Sequence, residues 1–276
     1  MNPECRTAGS GHLAIEVVSG QSTATSVWAA SPLKLLVPRS RGLSVWACLS
    51  SFGGGLVAGD TVALTVDLGK QARCFLTSQA STKVYRNPCD RPCSHHLRAQ
   101  LGPGSLLALL PDPVQAFSSS RYHQHQTFSL GPESGLVLVD WLCSGRAARG
   151  ERWAFHSFQS RNEVFLGDTR VLLDSLLLAP DQGPLEHSYR MGRFNCLALA
   201  VIIGDPFSVA AARVLQEFAK TPLPRHARLV VSASPLAHGA LIRLAAENTE
   251  EVAWELQRQL NFLSDFLQDD PWSRKF

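Results

Sequence analysis

Charged side chains are scarce: Lys, Arg, Asp and Glu supply 18% of the 276 residues, while apolar residues reach 45%. An ordinary soluble domain carries about a quarter charged residues. So little charge leaves less material to coat a surface, a hint that partners cover part of it. The net charge is +3 and its positive residues are scattered. A nucleic-acid binder shows a concentrated basic footprint with a matching motif, and neither is present. Long apolar runs are missing as well. The longest, residues 136–143 and 196–204, fall well short of the ~20 residues a membrane helix needs. The first eleven residues hold no apolar core of a signal peptide. Seven cysteines, an odd number in no regular framework, fit a reducing compartment rather than a disulfide scaffold. These absences predict a soluble, cytoplasmic protein with no nucleic-acid or membrane partner.

What is present is a series of short alternating runs. Residues 61–67 put Val62, Leu64 and Val66 on one face and Thr61, Ala63 and Thr65 on the other. Comparable strands are predicted at 13–18, 26–30, 43–49, 73–77, 94–101, 105–110, 124–130, 136–142 and 153–159. Pro/Gly turns separate them at 38–42, 102–104, 111–113 and 131–133. No long helices intervene in the first 200 residues, which excludes a doubly wound α/β sheet. No sequence repeat stands out, so periodicity alone leaves a coil of short strands and a sandwich both open.

The period changes in the final third. Asp205-Pro206 reads as an N-cap with proline at the first helical position. Phe207, Ala211, Val214, Leu215 and Phe218 then form the apolar stripe of a helix at about 206–220, stopped by Thr221-Pro222. Strands are expected at 227–232 and 240–245. A second helix, about 249–268, is capped by Asn248 with Glu251 as a capping box and ended by Pro271. Val252, Leu256, Leu260, Leu263 and Leu267 are its buried stripe. With no linker or charge break, residues 1–276 read as one mainly β domain with a flexible stretch at 1–11.

Four motifs carry candidate chemistry, each with a plain alternative. Gly53-Gly-Gly-Leu-Val-Ala-Gly59-Asp60 is no phosphate loop, since a strand rather than a helix follows it. It is either a tight turn capped by Asp60 or a contact surface. Leu76 to Arg86 gathers Gln79, Thr82, Lys83, Tyr85 and Arg86. Those groups suit a nucleophile, but no base and orienting carboxylate stand nearby, and a polar loop or partner-binding edge needs only satisfied hydrogen bonds. Cys89, Cys93, His95 and His96 are soft ligands close together. Their spacing lacks the Cys-x2-Cys pattern and a second pair, so metal site and exposed loop both stand. His123 and His125 share a face if that segment is a strand. Arg146, Arg149, Arg152 and Glu151 flank two glycines. They could bind an anion or a protein, or brace a turn through Glu151 paired with Arg149 or Arg152.

Taken in order, several of these blocks resemble the urease accessory protein family called UreD or UreH. The resemblance begins at Ser31-Pro-Leu-Lys34 and runs through Gly53–Asp60, with Phe52 where the family commonly has proline. Leu76–Arg86 is its most specific block. Leu110-Pro-Asp-Pro-Val-Gln-Ala-Phe117 with Arg121-Tyr122 follows, then Leu142–Glu151. It covers most of residues 13–178, and Pro271-Trp-Ser-Arg-Lys275 is similar to a eukaryotic-type ending. The resemblance implies a β-helix-like stack of short strands with two helices near the C-terminus. It implies a chaperone without turnover chemistry that binds a UreF-like protein, recruits a UreG-like GTPase and docks on apo-urease for nickel insertion. No cofactor is then tightly bound and nickel is only in transit, by an internal passage. Gly59, Asp60, Thr82, Lys83, Tyr85, Arg86, Arg146 and Glu151 become the candidates for the functional surface or passage. The rivals are an independent metal module at Cys89, Cys93, His95 and His96, a hydrolase around Lys83, and a remnant scaffold without a urease client.

Overall fold

Strand alternation fixes one inward and one outward face for each segment, and the inward faces meet between two sheets. The computed structural model describes residues 7–39, 42–220 and 226–273. Its strands begin with β1 (Ser10–Val18), β2 (Gln21–Ala29), β3 (Leu33–Leu36), β4 (Val45–Ser51), β5 (Thr61–Leu68) and β6 (Arg73–Ser78). They continue with β7 (Thr82–Val84), β8 (Cys93–Leu101), β9 (Leu106–Leu109), β10 (Val114–Ala116), β11 (Arg121–Leu130) and β12 (Gly135–Cys143). After β13 (Ser157–Leu166), β14 (Thr169–Leu178) and β15 (Cys196–Ile203) comes the helix α1 (Ser208–Lys220). The hairpin β16 (Leu229–Leu236) and β17 (Gly239–Ala246) leads to α2 (Thr249–Gln259) and α3 (Leu263–Leu267).

One sheet has the order β14-β13-β11-β8-β5-β1-β2, the other β16-β17-β15-β12-β9-β6-β4-β3, with β10 on β12 and β7 on β10. The chain crosses from one sheet to the other and back. In the first, β1, β5, β8, β11 and β13 stack in parallel, and in the second β4, β6, β9 and β12 do so. This is a β-solenoid, so the coil rather than the sandwich is the architecture. Antiparallel strands cap both ends: β2 and β14 on the first sheet, β3 and the β15–β17–β16 group on the second.

Leu-Gly corners stack on one another from coil to coil. The Gly102 amide donates to the Leu68 carbonyl at 2.7 Å and the Gly131 amide to the Leu101 carbonyl at 2.8 Å. A Cβ at either glycine would lie 2.8 Å from that same oxygen, closer than side chains approach carbonyls.

The inter-sheet core holds Leu64, Leu97, Phe128, Leu138, Val164 and Val201. A second apolar layer, with Trp46, Phe75, Val139, Ile202, Val214 and Leu256, lies where the helices cover the outer face of the second sheet. Among the described residues no helix covers the outer face of the first sheet, which is polar, with His12, His96, His123 and His125 directed outward. Among the described residues no helix is long and apolar enough to cross a membrane.

Several boundaries differ from the sequence expectations. Ser10 and Gly11 already belong to β1, because Ser10–Ile15 pairs with β5; residues 1–6 lie outside the described residues. Two residues of the expected 38–42 turn, 40 and 41, also lie outside them. The run at 153–159 becomes strand only from Ser157: Trp153 has φ 50° and its indole donates to the Phe194 carbonyl at 3.1 Å. Asp205 does not cap α1, which follows a single tight turn at Asp205–Phe207 whose cap position is Gly204. The proposed stop at Thr221-Pro222 lies outside the described residues. Asn248 caps α2 by accepting the Glu251 amide at 3.0 Å. The reciprocal bond of the box is replaced by a pairing of Glu251 with Arg228 at 3.3 Å. The second helix breaks at Leu260, and α3 ends before Gln268, at φ 53°, rather than at Pro271.

Two outcomes are expected. Gly131→Ala forces the stacked corner apart and lowers stability by about 1–3 kcal/mol, read from urea unfolding midpoints. Glu163 on β13 is gripped by Arg161 at 2.9 Å, His125 at 2.8 Å and Arg170 at 3.1 Å. The Arg161 hydrogen bond, then that of His125, holds its carboxyl down to about 2. A depressed carboxyl stabilises the fold fully above the ordinary carboxylate range and loses that contribution as pH falls toward its folded value. Urea unfolding measured across this window should therefore show a shallower acid loss for Glu163→Gln than for the unmodified chain.

Candidate functional site

The inward face of β11 changes character along its length. Phe128 and Leu130 are apolar, but the same parity carried back gives Gln126, Gln124 and Tyr122, all buried between the sheets. Parallel register places His95 of β8 and Ser160 of β13 beside Gln124, and Asn162 of β13 beside Gln126. Asp140 reaches them from β12 in the facing sheet.

These groups bond to one another. The Gln124 side-chain carbonyl accepts the Tyr122 hydroxyl at 3.0 Å and faces His95 Nδ1 at 3.2 Å. Its amide donates to Asp140 Oδ1 at 3.0 Å and to Ser160 Oγ at 3.1 Å. The Ser160 hydroxyl donates to Asp140 Oδ2 at 2.5 Å, and the Asn162 amide donates to the same oxygen at 2.8 Å. Gln126 closes the row on Asn162 Oδ1 at 3.0 Å. A buried polar group without partners costs heavily, so this chain survives between the sheets because its members satisfy each other. Burial pushes the Tyr122 hydroxyl well up and His95 down. With Nδ1–H on the Gln124 carbonyl, neutral His95 keeps a lone pair on Nε2.

Space adjoins this chain on both sides of Asp140. A cavity of about 260 Å³ lies among Thr82, Lys83, His95, Gln124 and Asp140. A second, of about 490 Å³, is bounded by Asp140, Asp174, Leu197, Ser232 and Arg243. Asp140 therefore borders both. Asp174 of β14 and Arg243 of β17 stand 3.6 Å apart and join the two sheets beside the second cavity. Burial raises the Asp174 carboxyl, and Arg243 opposes the shift.

The residues singled out from sequence fall into three groups. Thr82 and Lys83 line the first cavity. Tyr85, Arg86, Arg146 and Glu151 meet around a surface hollow of about 480 Å³ with Phe117, Ser118 and Ser119. There Glu151 grips Arg146 through two hydrogen bonds, one of them Nε to Oε2 at 2.9 Å, and accepts the Ser118 amide at 3.3 Å. The Arg146 guanidinium lies 4.3 Å from the Phe117 ring centre. Glu151 thus braces the turn through Arg146, not through Arg149 or Arg152. Arg152 instead binds Asn195 at 2.6 Å and the Gly192 carbonyl at 3.0 Å.

Gly59 and Asp60 stand apart from both groups. Asp60 caps its own turn by accepting the Val57 amide at 2.9 Å, and Gly59 donates to the Arg91 carbonyl at 3.0 Å. The glycines just before them do meet the second motif. Leu56 donates to the Lys83 carbonyl at 2.8 Å and its own carbonyl accepts the Tyr85 amide at 2.9 Å. A Cβ on Gly55 would lie 2.6 Å from the Lys83 oxygen and from the Tyr85 ring, so only glycine fits against residues 83–85.

The soft-ligand cluster does not assemble. Cys89 is exposed on a loop, Cys93 is buried on β8, His95 turns into the interior and His96 faces outward. The Cys93 thiol donates to the Val57 carbonyl at 3.0 Å, and burial pushes it up to about 11. Alternation along one strand sends adjacent residues to opposite faces, which is why near neighbours in sequence diverge here. Among the described residues no group of three or more His, Cys, Asp or Glu side chains could hold a metal ion.

Sequence reasoning missed Gln124, Gln126, Asp140, Ser160 and Asn162. Their signal was parity: extending the alternation of Phe128 and Leu130 toward Arg121 assigns Gln126, Gln124 and Tyr122 to the core face.

A sequence model of the family described as UreD urease accessory protein matches residues 7–274. The chain is 46% identical to the urease accessory protein UreD of Sorangium cellulosum (strain So ce56), over 98% of this chain and 85% of that protein. It is 41% identical to UreD of Anaeromyxobacter sp. (strain Fw109-5), covering 97% and 89%. Similarity extends to urease accessory protein D of Oryza sativa subsp. indica, at 34% identity over 96% and 95% of the two chains. Agreement over nearly the whole length of both bacterial and plant proteins shows that the chain belongs to the UreD family of urease accessory proteins, which are chaperones rather than enzymes.

Proposed function

We propose that this chain is a single-domain cytoplasmic scaffold that conducts nickel toward apo-urease through the space between its two sheets. It works in an assembly with a UreF-like protein and a UreG-like GTPase. The observation that carries the reading is Asp140, whose carboxylate borders both interior cavities and anchors the hydrogen-bonded row from His95 to Asn162. A divalent cation in transit needs oxygen and nitrogen donors that replace part of its water shell without closing around it. One carboxylate, one neutral imidazole and several amides and hydroxyls meet that need. A four-ligand thiolate and imidazole site would trap the ion instead.

The outer hollow suits a different part of the task. Arg146 and Glu151 hold its wall rigid, while Tyr85 and Arg86 line it beside the glycine-docked strand. Preformed, mixed polar and aromatic concavities of this kind favour a protein partner. Thr82 and Lys83, on the same segment as Tyr85 and Arg86, line the first interior cavity.

Asp140→Asn keeps the side-chain volume and removes the charge at the junction. Co-expressed with urease and the other accessory proteins, this variant should lower nickel per urease by about tenfold, the scale at which groups supporting a metal site act. It should still co-purify with the UreF-like protein. Full nickel loading with Asp140→Asn rejects the interior route, and normal urease activation after deletion of the whole gene rejects the accessory role. Arg86→Glu should do the opposite of Asp140→Asn, weakening co-purification first.

A further inference from the structure

Cys143 ends β12 and Cys196 opens β15, directly opposite each other in the antiparallel ladder. Cys196 belongs to the apolar layer on the helix-covered face of the sheet. Cys143 has the parity of Val139 and Trp141, which share that layer, so both sulfurs leave the sheet on the same side. On the adjacent rung, the Ser144 amide donates to the Asn195 carbonyl at 2.7 Å. Antiparallel rungs alternate, so Cys143 and Cys196 occupy the non-hydrogen-bonded position, where Cα atoms are about 4.5 Å apart and side chains come closest. A disulfide spans Cα separations of roughly 4.4–6.8 Å. Cys196 is buried, whereas Cys143 is only partly covered, its sulfur 3.7 Å from the Val114 carbonyl.

We propose that Cys143 and Cys196 form an oxidisable dithiol, a modification site at which a peroxide closes a disulfide between β12 and β15. Hydrogen peroxide converts the Cys143 thiol to a sulfenic acid and releases one water. The Cys196 sulfur then attacks the oxidised sulfur, an S–S bond forms, the S–O bond breaks and a second water leaves. The two thiols give up two electrons and two protons, and the peroxide accepts them. Burial pushes both thiols up, with the Gly145 backbone and the Gln115 side chain easing the shift at Cys143. The thiolate is the reacting form, so closure is slow at neutral pH and quickens as pH rises.

The bond would fix a wall of the second cavity. Leu197 and Leu199 on β15 line it, as do Asp140 and Leu142 on β12. Oxidation would tie these two strands together at the edge of the second cavity.

The test uses the full chain, purified reduced, exposed to hydrogen peroxide in its native state and alkylated before tryptic digestion without reduction. Cleavage after Arg121, Arg146, Arg193 and Arg213 leaves Cys143 and Cys196 each as the lone cysteine of its peptide. The expected product is one linked pair of residues 122–146 and 194–213, lighter by two hydrogens and separated by reductant. It should form faster at alkaline than at neutral pH. Cys196→Ser should stop the linkage and leave a Cys143 sulfenic acid that dimedone traps; if that variant fails to fold, the linked pair in the unaltered chain carries the test. Recovery of both peptides fully alkylated after the exposed Cys89 has been oxidised would overturn the proposal, as would Cys143 linked to any other cysteine.

Discussion

Parallel pairing between successive coils is the constraint from which the rest of this molecule follows. Each coil repeats the backbone position of the one before it, so side chains of equal parity line up across β5, β8, β11 and β13. Where those side chains are apolar they make a continuous core, as with Val66, Ala99, Phe128 and Val164. Where they are polar, the same stacking makes a continuous row, because His95, Gln124 and Ser160 share one level and Gln126 and Asn162 the next. Neither outcome needs a special loop. A row of hydrogen-bonding groups between two sheets is therefore a property of the coil once a few inward positions turn polar, and Asp140 from the facing sheet completes it.

The two sheets solve the burial of their outer faces differently. A parallel sheet is ordinarily covered on both sides. The second sheet meets this with α1, α2 and α3, whose Ala211, Val214, Leu256 and Leu263 pack on Phe75, Val139 and Ile202. The first sheet carries histidines and ion pairs on its outer side, among them the cluster of His125, Arg161, Glu163 and Arg170. The asymmetry leaves the helices to complete the core and the interior row to lie nearer the bare sheet. The Asp174 and Arg243 pair links the two sheets directly.

Much of this was legible without coordinates. The alternation of residues 61–67 predicts β5 within a residue, and the stripe from Phe207 to Phe218 predicts the face α1 buries. The coil was harder to read because its repeat is in the corners, not in the strands. Leu-Gly recurs at 68–69, 101–102, 130–131 and 166–167, at unequal intervals because the arches between sheets differ in length. Gly102 and Gly131 are needed for a close approach to the preceding coil, which a search for similar strands does not detect. The motif at Leu76–Arg86 pointed to the right region, but its members divide: Thr82 and Lys83 face a cavity while Tyr85 and Arg86 face a surface hollow.

Local sequence by itself determined which segments are strands or helices, which side of each is apolar, and where chain direction reverses, since all three depend on neighbours a few residues apart. It also carried the family identity, through blocks that keep their order along the chain. Only the tertiary structure decided which groups meet. Glu151 chose Arg146 over the nearer Arg149 and Arg152, the Cys89–His96 cluster was divided between a loop and opposite faces of β8, and Asp140 was brought to residues of two other strands. Those contacts rest on register between coils, which depends on how far each arch carries the chain, and no local pattern of residues encodes that distance.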